Sequence, residues 1–264
     1  MEDLSGDLPT FSPETRDRLA LLRRELADAA RILSHERLSQ GYGHISARLD
    51  DESYFLITPG RHLDDIDPSE IELVQLDGEP LTHRSAEGPP AETHLHAAVY
   101  RRRPDVGAVV RAHPEYLQAF GIARVAVRPT HNFGAVLGET TALYDDVRSI
   151  YSKERAETVA RTLGQARAVV LRGNGCLVIG SGIRTVTVAT VWLEESARLQ
   201  YRALVVAASE GRHGEIAFLS EAEIHEVGAA LGTPERVERR WKSLSWAAIR
   251  TPGEPTSRSG PQRP

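Results

Sequence analysis

Three short stretches, residues 44–49, 54–58 and 72–76, follow one another with only glycine, proline and aspartate turns between them. Each has the length and residue types of a β-strand. Their connections look hairpin-like, and parallel neighbours would need a long crossover, so the sheet they start is expected to be largely antiparallel. Residues 108–112 read as a further strand. Residues 168–172 and 176–179 read as a hairpin around Gly173-Asn174-Gly175.

Helical spacing surrounds these strands. Ser12-Pro13-Glu14 supplies a capping serine and a first-turn proline. Leu19, Leu22, Leu26, Ala29, Ala30 and Leu33 then mark one apolar face of a helix predicted to reach about Gln40, where Gly41 and Gly43 end it. Further helices are predicted over 91–103, 114–122, 152–163 and 183–208, followed by a helical C-terminal third. Several strands in succession, flanked by helices, define a layered α/β domain. We find no internal repeat or linker, so 13–250 is read as one domain. The ends, 1–12 and 251–264, are read as disordered, the latter for its proline, glycine, serine and arginine content.

Composition narrows the function classes. A net charge of −5 gives no footprint of a general nucleic-acid binder. Arg101-Arg102-Arg103 has acids nearby and reads as a solvated helix end. No run approaches the ~18 apolar residues of a membrane helix, and the acidic N-terminus lacks the apolar core of a signal peptide. Cys176 is the only cysteine, so there is no intrachain disulfide and no thiolate metal cluster. It reads as a small buried hydrophobe, and a reducing cytoplasm is the expected compartment.

The densest polar cluster is Glu92-Thr93-His94-Leu95-His96, with Arg111-Ala112-His113 about twenty residues later. Glu92 and His96 share a helix face, and Arg111 and His113 share a strand face. A helix feeding into a strand could converge a carboxylate, imidazoles and a guanidinium.

The stretch from Pro90 to Tyr100, then Arg103-Pro104-Asp105 and Val109-Val110-Arg111-Ala112-His113, resembles the signature region of class II aldolase/adducin proteins. So do Gly43-His44-Ile45-Ser46-Ala47-Arg48, Ile57-Thr58-Pro59-Gly60, Leu171-Arg172-Gly173-Asn174-Gly175 and Leu193-Glu194-Glu195-Ser196-Ala197-Arg198-Leu199. These segments keep the family's order over roughly residues 15–205. The resemblance implies a class II aldolase-like, three-layer α/β/α fold. It also implies a homotetramer with active sites between subunits, where Trp241 or Trp246 could reach a neighbour's pocket.

Active aldolases of the family hold a divalent metal with three histidines and use a glutamate as base. Carried over by position, Glu92 matches the base and His113 the second histidine, but Arg111 and Asn174 stand where the other two histidines belong. Arginine is not a metal ligand, and asparagine offers zinc only a neutral oxygen. The resemblance therefore implies a degenerate site with no expected metal. If zinc, manganese or iron were held, Glu92, His94 and His113 are the candidates, although His94 should point elsewhere. Phosphate contacts are also rewritten: His44 replaces an asparagine, and Pro90-Ala91 replaces paired serines, which argues against a phosphorylated sugar. Asn132 replaces a tyrosine acid after His131.

The Gly43-His44-Ile45-Ser46 form and the short turn at Thr58-Pro59-Gly60-Arg61 resemble the branch that contains aromatic-acid decarboxylases. The resemblance implies a lyase acting on a small carboxylated, non-phosphorylated molecule through an enolate. Glu92, Arg111, His113 and His131 are the candidate catalytic residues, and His44, Arg61, Arg172 and Asn174 the candidate substrate contacts. Two alternatives stay open: a biosynthetic tailoring enzyme (cyclisation, dehydration or iron-dependent oxidation), and a non-catalytic domain like the adducin head. A pocket closed by an Arg111–Glu92 ion pair would favour the latter.

Overall fold

Helix α1 (Pro13–His35) begins as its cap predicts, with the Ser12 hydroxyl accepting from the Thr15 N–H at 3.1 Å. The computed structural model describes residues 11–49, 53–139 and 141–249. The reading of disorder at both ends falls mostly outside these residues. Phe11 and Ser12, however, belong to the fold, since the Phe11 ring meets Tyr54 edge-on at 6.1 Å. All six predicted face residues of α1 are buried. The helix stops at His35 rather than near Gln40, because Arg37, Gln40 and Gly41 take positive φ and turn the chain out of helical geometry.

The strands are β1 (His44–Arg48), β2 (Tyr54–Ile57), β3 (Glu72–Gln75), β4 (Ala108–Ala112), β5 (Ala142–Tyr144), β6 (Ala168–Leu171) and β7 (Cys176–Gly180). They form one sheet in the order β3-β2-β1-β4-β7-β6-β5. Every pairing is antiparallel except β5 with β6, so the expected antiparallel sheet carries one parallel edge. Strand β5 was not expected. It is three residues long, and its pairing with Val169, Val170 and Leu171, not local pattern, makes it a strand.

Side-chain alternation divides the interior into two cores. Ile45, Ala47, Val110, Ala112, Cys176 and Val178 pack with α1, α3 (Glu115–Ala123), α5 (Ile183–Ser209) and α7 (Pro234–Ile249). Val109, Val169, Leu177 and Ile179 face the other way, onto α2 (Thr93–Arg102) and α4 (Lys153–Leu163). These helices on the two faces make the three-layer α/β/α arrangement, and helix α6 (Glu221–Leu231) packs on the 3-10 turn Asn132–Leu137. Cys176 is buried, and burial pushes its thiol up to about 12. The arginine run at the end of α2 is paired as expected, Arg101 and Arg102 with Glu157 and Arg103 with Asp105. Trp241 is in the core under Arg184, whereas Trp246 is exposed. Among the described residues, no helix is long and apolar enough to cross a membrane.

Candidate active site

Strand β4 alternates strictly, so Arg111 lies on the same side as Val109, the side covered by α2. Its register partner on β1 is His44, and α2 begins just after Glu92. Three elements thereby bring a guanidinium, an imidazole and a carboxylate together. Arg111 is only 1% exposed. A buried guanidinium needs acceptors, and it has four: Glu92 Oε2 from Nε at 2.9 Å, Ala112 O and Cys176 O from Nη1 at 2.9 and 3.5 Å, and Asn174 Oδ1 from Nη2 at 3.0 Å. Of its five N–H bonds, one on Nη2 is left over.

Glu92 is complementary. Its Oε2 receives Arg111 and lies 3.5 Å from His44 Nε2, and its Oε1 accepts from the Ile150 N–H at 3.2 Å. Three of a carboxylate's four lone-pair positions therefore face donors, and one remains. Burial alone would raise this carboxyl. The His44 hydrogen bond, the Arg111 charge and the Ile150 N–H outweigh it and hold Glu92 well below the ordinary carboxylate range. His113 is driven down to about 4, by burial first and then by the Arg111 charge, with Asn174 opposing. Its Nδ1 is buried without a hydrogen-bond partner.

Glu92, Arg111, His113, His44, Asn174 and Arg61 all line one cleft of about 410 Å³. Arg61 is already engaged by Glu70 and the Asp65 carbonyl, but its buried Nε has no partner. Two expected residues lie elsewhere. His131 donates to or accepts from Ser196 on α5 at 3.0 Å, because its segment packs on that helix. Arg172 leaves the end of β6 to pair with Asp145. His96 shares α2's inner face as expected, but it meets His44 rather than Glu92, at 2.7 Å.

The residues present do not fit a divalent ion. The guanidinium already occupies Glu92 Oε2 and Asn174 Oδ1, and its charge repels a second cation. His94 is on the wrong side of α2: its Nδ1 lies against Gly78, where an added Cβ would be 2.1 Å away. That removes one of the three fallback ligands, and Glu92 and His113 alone do not make a site. Among the described residues no group of three or more His, Cys, Asp or Glu is placed to hold a metal.

Sequence reasoning missed the rim and the floor. Tyr42 and Tyr151 line the cleft and are well exposed. The Tyr42 ring stands edge-on to His113 at 6.2 Å, and its place directly before Gly43, where a matching motif begins, was the available signal. Beneath the cleft, Ser46 and Tyr100 join His96 in a buried hydrogen-bonded chain.

The fold and this cleft define a class of protein. Residues 24–201 match the family described as Class II Aldolase and Adducin N-terminal domain, and the chain belongs to that family. Among its relatives is a 3,4-dihydroxyphthalate decarboxylase of Arthrobacter keyseri, 29% identical over 85% of this chain and 93% of the relative. Another is the decarboxylase tropJ of Talaromyces stipitatus, 26% identical over 83% of this chain and 91% of the relative. In fold, the chain matches L-fuculose 1-phosphate aldolase from Glaciozyma antarctica PI12 with a TM-score of 0.74 at 21% identity, over 92% and 93% of the two chains.

Proposed function

We propose that the cleft is the active site of a decarboxylase for a small, non-phosphorylated aromatic molecule bearing a carboxylate beside a hydroxyl. The observation that carries this reading is the Arg111–Glu92 pair, which leaves one N–H and one carboxylate lone pair in the same cleft wall. A hydroxyl can donate to that lone pair while an anionic oxygen accepts from that N–H. Two relatives named as decarboxylases support the reaction type. The tyrosines at the rim suit an aromatic ring.

In this mechanism Glu92 takes the substrate hydroxyl's hydrogen bond and draws electron density into the ring. The substrate carboxylate beside His113 favours its imidazolium form, which protonates the ring carbon bearing the carboxylate while the hydroxyl becomes a carbonyl and passes its proton toward Glu92. The carbon–carboxylate bond then breaks, CO2 leaves, and its electron pair flows into the ring and onto the carbonyl oxygen as an enolate. Arg111 stabilises that charge in place of a metal, from a buried position where its own charge is little screened. The enolate oxygen takes its proton back from the Glu92 side, and His113 regains one from solvent through the cleft, so the ring leaves with a hydrogen where the carboxylate was. An Arg111–Glu92 pair forms, yet the cleft stays open beside it, which favours an enzyme over a scaffold. We extend the reading to a cytoplasmic homotetramer. Exposed Leu199, Tyr201, Val205 and Val206 on α5 support an assembly surface.

Incubating the purified protein with hydroxylated aromatic carboxylates and with sugar phosphates, and measuring CO2 and aldehyde release, tests this. CO2 from an ortho-hydroxy carboxylate is expected. Aldehyde release from a sugar phosphate with no CO2 from any carboxylate would contradict it.

A further inference from the structure

Helix α2 and strand β1 carry matching polar repeats. From the N-cap of α2 onward, Glu92, His96 and Tyr100 recur every four residues, a rise of about 6 Å. On β1, His44 and Ser46 recur every two, a rise of about 6.6 Å. The two repeats stay in step, so their side chains interlock in a seam that runs from the cleft wall at Glu92 and His44 into the core at Ser46, His96 and Tyr100. His44 Nε2 lies 3.5 Å from Glu92 Oε2 and His44 Nδ1 lies 2.7 Å from His96 Nε2. His96 Nδ1 lies 2.6 Å from Ser46 Oγ, and Ser46 Oγ lies 2.7 Å from the Tyr100 hydroxyl.

We propose that His96, Ser46 and Tyr100 are positioning residues, a one-way hydrogen-bonded chain that locks His44 in the tautomer presenting Nε2–H to Glu92. This rests on Glu92 being the working carboxylate of the reading above. A carboxylate only accepts, so His44 must carry its proton on Nε2. Its Nδ1 must then accept, which puts the His96 proton on Nε2 as well. His96 Nδ1 in turn accepts from Ser46, and Ser46 accepts from Tyr100. Reversing the chain would aim a lone pair of His44 at the Glu92 charge. It would also force the Tyr100 O–H to find a new acceptor, where its oxygen faces the Val109 backbone donor.

The chain orients; it does not feed protons. Drawing one from Tyr100 would leave a phenolate in the core, and burial raises that phenol well above its ordinary value. None of His96, Ser46 and Tyr100 lines the cleft. Their loss should therefore reach the reaction only through His44 and Glu92.

Histidine tautomers are read directly from 15N–1H NMR spectra of the full-length protein, without any substrate. Both His44 and His96 are expected as neutral Nε2–H forms. In Ser46→Ala, His96 is expected to lose its single tautomer, with kcat down about tenfold, KM within twofold, and most of the rate restored in Ser46→Thr. Tyr100→Phe, which keeps the ring, is expected to show a smaller loss of the same kind. A proton on His44 Nδ1 in the wild type, or an unchanged spectrum and kcat in folded Ser46→Ala, would overturn the proposal. If the serine variants do not fold, the wild-type spectrum decides. Both Nε2–H forms in a protein that decarboxylates nothing would uphold the chain while removing the decarboxylase reading.

Discussion

A guanidinium at 1% exposure must find its acceptors inside the protein, and Arg111 finds them before α2, on β4 itself and on the β6–β7 hairpin. It ties three elements together as well as charging the cleft. Breaking a buried ion pair by removing one partner costs about 3–5 kcal/mol, because the other charge is left uncompensated. Arg111→Met should lower unfolding stability by about that amount in urea titration, and adding Glu92→Gln should recover part of it. A single variant as stable as wild type would mean that Glu92 is not held by this pair. Residues such as Glu92, Arg111 and His113 were legible because motif spacing put them on adjoining elements. His131 and Arg172 stand outside this cleft, because their surroundings depend on Ser196 and Asp145, far away in sequence.

Among the elements, the β6–β7 hairpin carries the most specific constraint. Gly175 has φ +71°, and a Cβ there would stand 2.0 Å from the Ala112 carbonyl oxygen and 2.9 Å from Arg111 Nη1. Strain at positive φ together with overpacking predicts that Gly175→Ala costs about 2–5 kcal/mol. It should also weaken the Arg111–Asn174 contact, so thermal stability and kcat should fall together. An alanine variant with unchanged melting temperature would show that the hairpin can shift freely. Elements with strong periodicity, α1, α5 and the hairpin, were legible from sequence. The end of α1 and strand β5 were not, because positive φ at Arg37 and the β6 pairing are set by neighbours rather than by local pattern. The seam between α2 and β1 was written in the sequence as two polar repeats, but only the packing of one on the other reveals that they match.

At the scale of the whole molecule, buried titratable groups bias stability toward neutral pH. Burial lowers His44, His96 and His113 from their ordinary 6.5, His113 to about 4. Below about 6.5 the unfolded chain binds protons that the folded one refuses, so stability rises with pH up to that point and levels off above it. Glu92 acts in the same direction at lower pH, because its depressed folded value favours the native state only while the carboxyl is ionised. The melting temperature should fall steadily from pH 7 to pH 4, and a flat profile over that range would mean that the imidazoles are not buried as neutral groups. The most direct test of the account is metal content measured alongside CO2 release, before and after chelation, in wild type and in Arg111→Lys. The account expects no stoichiometric metal, a rate indifferent to the chelator, and a loss of about 100-fold or more in kcat when the forked guanidinium becomes a point charge. One equivalent of zinc, manganese or iron per chain, lost together with activity on chelation and absent from His113→Ala, would contradict it.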